Sequence, residues 1–502
     1  MTLPPGYDTI TRVTQPQKDL LRRPIAWSRR HPLAALALLG AASEVIYLAY
    51  ALLYPLTVYG HAGRPFDLEQ LSRTRPWAAY IYALGLIALF AFFWASLRIA
   101  QRVHVPLRLI AAFGLLFGLT LVWLYPVTAT DLFQYVLQAR VRVVHGASPL
   151  VVPPNRFPDD PLLPFAGEWA GNLAPYGPAW ELLAEGILWL GPRDAVGGAL
   201  AYKGVALLAY LACVGLLWWG TNGDTHALLL FAWNPLVLLE GLGNGHNDLL
   251  MLVWMLLALL LWERRRMWAP AVVALTLAVL TKASAALLAP LLMVAILRSQ
   301  RGWQRRMEVL MSAGALALGL ALLAYLPIWP PWESITSVLE QLSRHYTYTI
   351  AALLRMILRE FIPNQLAMAI PRTTGRVIFA VLYLWTLARV WRHRLCLAEA
   401  GFLAYFVYLL TSTSYRIWYP LWLVPLAALH LTPRTRSRTF LFCLTSELSI
   451  LMFYLAWRWW FNGQVFPKAD WLTMHILTVP WQFGLPLLLP LWQRRRWTAN
   501  QK

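Results

Sequence analysis

Cysteine and charge are both scarce in this chain. Only Cys213, Cys396 and Cys443 occur among 502 residues, and only 13% of positions are charged. All three thiols fall inside apolar runs or near basic loops, which excludes an extracellular disulfide framework. A soluble domain carries about 25% charged residues, so the shortage of charge excludes an ordinary soluble globule. No phosphate-binding loop and no Gly-rich strand-to-helix turn is present, and with them goes a soluble nucleotide-sugar domain. Tandem repeats and low-complexity segments are absent too. The first residues hold Arg12, Lys18, Arg22, Arg23, Arg29 and Arg30 without an early apolar core. That pattern predicts a cytoplasmic arm and no cleaved leader.

What remains is apolar. Hydrophobic residues make up 59% of the chain, with 27 Trp and many uninterrupted runs. The expected fold is an all-α polytopic membrane protein with about fourteen spans. Its parts are a basic arm over residues 1–32, a membrane domain over 33–492 and a basic tail over 493–502. A net charge of +20 is of the sign that nucleic acid attracts, but its location argues otherwise. Arg98, Arg102 and Arg108, then Arg264 to Arg266, Arg389, Arg392 and Arg394, and Arg434, Arg436 and Arg438 sit in alternate short loops. The positive-inside rule then places both termini in the cytoplasm and residues 126–195 and 329–376 in two long outer loops. Long ordered loops are usually functional.

The polar residues that interrupt apolar runs converge on the outer side of this topology. Asp131 follows the run Leu109 to Tyr125. If it opens a helix, Asp131, Gln134, Gln138, Arg142 and His145 share one face. Leu132, Phe133, Val136, Leu137, Val141 and Val144 cover the other. The prediction is a helix lying on the membrane surface, apolar side down. Asp131 then has two readings: a carboxylate favoured by the helix dipole, or a general base.

Gly243-Asn244-Gly245-His246-Asn247-Asp248 places polar groups between apolar stretches. A tight turn could use Asn-Gly alone; His246 and Asp248 with Asn244 and Asn247 favour a pocket lining for a phosphate or a hydroxyl-rich ring. One His and one Asp do not make a metal site. Lys282 divides the run Trp268 to Leu297, as either a snorkelling residue or an ammonium facing a phosphate, and the run around it reads as two half-helices lining a cavity. Lys203 invites the same phosphate reading. In Ser412 to Trp422, Trp418 and Tyr419 serve as interfacial anchors or sugar-stacking faces, and Arg416 as a phosphate clamp. Asp159 and Asp160 read either as a second carboxylate pair or, as the flanking Pro158 and Pro161 favour, as loop solubilisers.

Four stretches together carry a resemblance. They are Asp131 to Tyr135 with Gly146-Ala147-Ser148-Pro149-Leu150; Trp233-Asn234-Pro235-Leu236 leading to Gly245-His246-Asn247-Asp248; Leu280-Thr281-Lys282; and Ile417-Trp418-Tyr419-Pro420-Leu421-Trp422. In order and common side they resemble the C-type superfamily of integral membrane glycosyltransferases. Within it, they are most similar to the bacterial polyprenol-phosphate-mannose-dependent mannosyltransferases. The resemblance implies inverting transfer of a mannosyl or other hexosyl group from a polyprenyl-phosphate donor to a glycan, glycolipid or other lipid-linked acceptor. It implies a multi-pass protein of the cell inner membrane with an extracytoplasmic site, serving the cell envelope. Asp131 would be the base, and Lys282, Arg416, His246 and Lys203 the phosphate partners. Tyr135, Asn244, Asn247, Asp248, Tyr176, Trp418 and Tyr419 would meet sugar or acceptor. Many relatives carry an acidic pair at the first loop, whereas Thr130 precedes Asp131 here; the expectation is a site with no metal and no cofactor. The competing class is a transporter or flippase for a lipid-linked sugar, which needs cations but no base. Transporters often carry repeated halves, and none is seen.

Overall fold

A computed structural model describes residues 28–329, 332–333, 335–336, 347–455 and 471–499. Most of the N-terminal arm and the last three residues of the tail lie outside the described residues. Among those described, helices make the whole fold and the only β pairings are isolated bridges, Pro55 with Leu124 and Thr347 with Ser414.

Six helices are long and apolar enough to cross a membrane: Pro32–Leu53, Pro76–Ala100, Ala195–Gly220, Trp303–Ile328, Pro433–Leu455 and Leu472–Leu489. Proline at the first turn starts Pro32–Leu53 and Pro76–Ala100, where its missing N–H costs nothing. Asp194 caps Ala195–Gly220 by accepting the N–H groups of Val196 and Gly197. Trp303–Ile328 buries only 11% of its most apolar stretch, leaving Met311, Leu318 and Leu323 exposed. So wide an apolar face suits lipid rather than water.

The apolar runs do not translate one for one into spans. Thr225–Ala232 and Val237–Gly243 are two helices bent by 51°, which make a seventh crossing if taken together. Pro235 sits at the break, where it removes a backbone donor. The run around Lys282 likewise divides into Trp268–Thr281 and, after a short 3-10 turn, Ala289–Ser299. Lys282 itself is extended at the junction, so the predicted pair of half-helices is present.

The Asp131 helix departs from expectation. It spans Asp131–Val143, with acid in its first turn and Arg140 and Arg142 in its last, matching the helix dipole. It does not lie on a surface with a wet polar face. Gln134 and Gln138 are as buried as Leu132 and Phe133, because the loop 126–195 folds back over the helix. Phe165 packs on Phe133, and the Gln134 amide donates to the carbonyl of Ala166 at 2.8 Å. His145 lies beyond the helix end and is not the last member of its stripe.

That loop also corrects the reading of Asp160, whose side chain is only 4% exposed. It accepts from Arg140 Nε at 3.0 Å and lies 2.7 Å from His145 Nε2, and it takes the Leu162 N–H. Burial opposes its ionisation, but His145, the Leu162 amide and Arg140 together hold its carboxyl below the ordinary value. Asp160 is a buried clasp between the helix and its loop.

Candidate active site

The Asp131 helix, the turn at Tyr176, the Lys282 junction and the Ser412–Trp422 segment meet around a cavity of about 520 Å³. Asp131, Tyr176, Lys282, Arg416, Trp418 and Tyr419 all line it. The cavity therefore gathers these sequence-predicted residues from four distant stretches.

Two glycines make the gathering possible. A Cβ on Gly177 would stand 2.0 Å from the carbonyl oxygen of Leu280. Only glycine lets the Tyr176-Gly177-Pro178 turn pack on the backbone before Lys282, and Tyr176 consequently sits beside the lysine, whose ammonium is 5.7 Å from the ring centroid. Gly245 has a left-handed φ of +72°, and a Cβ there would meet Leu132 at 2.8 Å. That turn carries His246 under Asp131.

Asp131 is the most open carboxylate of the group, with its side chain 22% exposed. The Tyr176 hydroxyl donates to its Oδ2 at 3.2 Å. His246 Nδ1 stands 3.6 Å from the same oxygen, and on the far side of the ring Nε2 lies 3.4 Å from Glu240 Oε2. The imidazole thus stands, fully buried, between two carboxylates. Trp418 stacks on it at 4.1 Å and separates it from the cavity. His246 does not face the space where a phosphate would enter; it backs the residue that does.

Glu240 was not foreseen. It is buried inside the π-helical stretch Val237–Gly243 and accepts from Thr128 at 2.8 Å and from Asn244 at 2.9 Å. Asn244 is consumed in this network and lies away from the cavity wall. The available signal was a lone acid within an apolar run, since an ionisable residue inside a span is a functional candidate by default. Gln134, Gln138 and Trp169 also line the cavity and were not proposed as site residues.

The two lysines divide. Lys282 Nζ lies 2.6 Å from Asp248 Oδ2 and 3.4 Å from Asn247 Oδ1, and keeps 15% exposure toward the cavity. Asp248 is fully buried and also accepts from Trp422 Nε1 at 2.5 Å, so it holds the lysine from behind. Lys203 is fully buried, and its ammonium donates to the carbonyls of Leu121, Leu124 and Gly243. All three of its donors are taken, and the cavity is out of its reach. It satisfies carbonyls at a helix end and at the broken helix; its predicted contact with phosphate does not match this geometry. Tyr135 is buried too, packed edge-on against Tyr176, Trp180 and Tyr202, with its hydroxyl accepting the Asn247 N–H at 3.3 Å.

Arg416 has its guanidinium 5.7 Å from the Trp169 ring and lines the same cavity as Asp131 and Lys282. Tyr419 stacks on Trp422 at 4.3 Å. Ile417, Ile450 and Phe453 add an apolar wall. The cavity therefore offers a carboxylate, two cations, aromatic faces and an oily side in one space.

The family described as alpha-(1->6)-mannopyranosyltransferase, N-terminal domain, matches residues 34–298, more than half of the chain. A curated relative, alpha-(1->6)-mannopyranosyltransferase A of Mycobacterium tuberculosis, is 30% identical over 213 residues. That match covers 40% of this chain and 40% of the relative. No solved structure matches. The chain belongs to the alpha-(1->6)-mannopyranosyltransferase family. Asp131, His246 and Lys282 fall within the matched region and Arg416 outside it.

Proposed function

We propose that this chain is a glycosyltransferase of the cell inner membrane, with about fourteen membrane segments. It moves mannose, or another hexose, from a polyprenyl-phosphate donor to a hydroxyl of a glycan, glycolipid or other lipid-linked acceptor. The transfer takes place on the extracytoplasmic side and inverts the anomeric centre. The observation that carries this reading is the shared cavity: Asp131 stands on the same wall system as Lys282 and Arg416.

In the reaction, the acceptor oxygen forms a bond to the anomeric carbon as its proton passes to an Asp131 oxygen. The bond from that carbon to the phosphate oxygen breaks, and its electron pair leaves with the polyprenyl phosphate. The sugar passes through an oxocarbenium-like state. Lys282 and Arg416 meet the phosphate charge, which is where preorganised cations contribute most. Tyr176 orients the Asp131 carboxylate, with the buried His246 ring beside it and Glu240 beyond that ring. Trp418 and Tyr419 offer faces to the sugar, and the apolar wall of Ile417, Ile450 and Phe453 admits the start of the prenyl chain. Lys203, Tyr135, Asn244 and Asp248 shape the pocket without touching substrate. No divalent ion is needed in this scheme.

The test is reconstitution of the purified full chain in vesicles holding polyprenyl-phosphate mannose and an oligosaccharide acceptor. The expected result is a new glycosidic product of inverted configuration, formed equally in the presence of a chelator. Loss of activity on chelation, restored by a divalent ion in the parent and in Cys396→Ser alike, would make Asp131 a metal ligand instead. Movement of the donor between leaflets without a glycosidic product would favour the transporter reading.

A further inference from the structure

At the end of the helical bundle opposite the cavity, three side chains from two helices come together. Cys396 opens the helix Leu397–Thr411, Glu399 lies in its first turn, and His430 closes the helix Leu423–Leu429. The Cys396 Sγ stands 3.6 Å from His430 Nδ1, and Glu399 Oε2 stands 3.6 Å from His430 Nε2. One ligand atom from each residue lies within 4.8 Å of the other two. Tetrahedral zinc, with Zn–S near 2.3 Å and Zn–N near 2.0 Å, sets sulfur and nitrogen ligands about 3.6 Å apart. We propose that Cys396, Glu399 and His430 form a binding site for a borderline-soft divalent cation of the zinc type, with solvent as the fourth ligand.

The surroundings fit a cation. The Glu399 N–H donates to Cys396 Sγ at 3.4 Å and fixes the position of the sulfur. Glu263 accepts the Leu397 N–H at 2.8 Å and lies in electrostatic reach of both Cys396 and His430. It adds a negative charge behind the ligands. The nearby arginines are turned elsewhere: Arg264 donates to Asn222 and to the Gly220 carbonyl, and Arg266 lies over the Trp262 ring. The side chains of Glu399 and His430 are 34% and 36% exposed, so an ion can enter and the carboxylate can swing onto it. As the sulfur–metal bond forms, the Cys396 proton leaves to solvent.

The position gives such a site a purpose. The two helices it joins form the stem of the hairpin that carries Arg416 and Trp418, and Glu263 belongs to the helix that begins at Asp248. A cation here staples the far ends of helices whose near ends build the cavity wall. The ion does not enter the transfer chemistry, so the proposal stands or falls apart from the metal-free reaction.

The experiment uses the purified full chain carrying a tag without histidine. Cobalt(II), titrated in, should bind at about one equivalent per chain with a thiolate-to-metal absorption band, and zinc should displace it. Cys396→Ser should abolish the band. Loss of even an outer partner of a metal lowers affinity by about 10–100-fold, so His430→Gln should weaken binding at least that much. Because a variant can fail to fold, the parent supplies a second readout. Zinc should protect Cys396 from alkylation, while the buried Cys213 and Cys443 stay unreactive with or without it. A band that persists in Cys396→Ser, absence of saturable cobalt binding, or unaltered Cys396 alkylation in zinc would overturn the site.

Discussion

The two ends of the Asp131–Val143 helix each meet a carboxylate and a histidine, yet they do opposite things. At the C-terminal end Asp160 is saturated: Arg140, His145 and the Leu162 amide use its oxygens. At the N-terminal end Asp131 takes one hydrogen bond, from Tyr176, with His246 just beyond hydrogen-bond length. It keeps an open side toward the cavity. A carboxylate with every lone pair engaged holds structure together. One that is oriented but not saturated can accept a proton. The difference lies in how many partners fold around each oxygen, not in residue type.

The largest effect expected on stability comes from the saturated end. Asp160→Asn leaves Arg140 and His145 facing a neutral amide in a buried setting and should cost about 3 kcal/mol. It should spare the turnover of molecules that remain folded. Thermal unfolding and activity on one preparation check this; unchanged stability with lost turnover would reverse the assignment of the two ends. The same clasp predicts a pH effect. The folded carboxyl titrates below its unfolded value of about 3.9, so its contribution is present above that value. The contribution fades as pH falls through the lower folded value, and Asp160→Asn should flatten the acid limb of the stability curve.

A smaller effect belongs to the cavity. Arg416→Gln removes a charged hydrogen-bonding group that packs over the Trp169 ring. Donor affinity should fall by about 10–100-fold, as for a charge-assisted bond. Stability should move by no more than about 0.5 kcal/mol. Donor titration followed by fluorescence, alongside thermal unfolding, separates these outcomes. A loss of stability without a loss of affinity would make Arg416 part of the scaffold.

An effect confined to one pH range belongs to the neighbouring helix Pro178–Leu190. Burial pushes Glu185 up to about 7, with Arg142 opposing. Its folded form prefers the proton, so it costs nothing below the unfolded value of about 4.3. The cost grows as pH rises and is complete above about 7. Glu185→Gln should therefore raise the unfolding temperature at pH 8 and leave it nearly unchanged at pH 4. A uniform shift at both pH values would mean that ionisation is not the cause.

Much of the site was legible because its members interrupt apolar runs. Asp131, Lys282, Arg416 and Trp418 are conspicuous in their local sequence, and all line one cavity. Lys203 is equally conspicuous but serves the scaffold. What separates it from Lys282 is tertiary: the broken helix brings the Gly243 carbonyl to it, whereas Asp248 reaches Lys282 from 34 residues away. No local window holds either fact. Asp160 between two prolines looked like a solvated turn, because its partners Arg140 and His145 lie 20 and 15 residues upstream. Glu240 is an acid in an apolar run, but nothing in that run says that His246 and Asn244 fold against it. The helical class followed from composition. The lengths did not, since Pro235 and the Lys282 junction divide runs that look continuous.

The central claim is that the unsaturated carboxylate takes the acceptor's proton. Single-turnover transfer by Asp131→Asn, with donor binding measured on the same sample, tests it most directly. The substitution keeps size and hydrogen-bonding capacity but removes the base. The account predicts a rate lower by about 10²–10⁴-fold with donor affinity unchanged, because Lys282 and Arg416 are untouched. Transfer at the parent rate to a verified acceptor would contradict it.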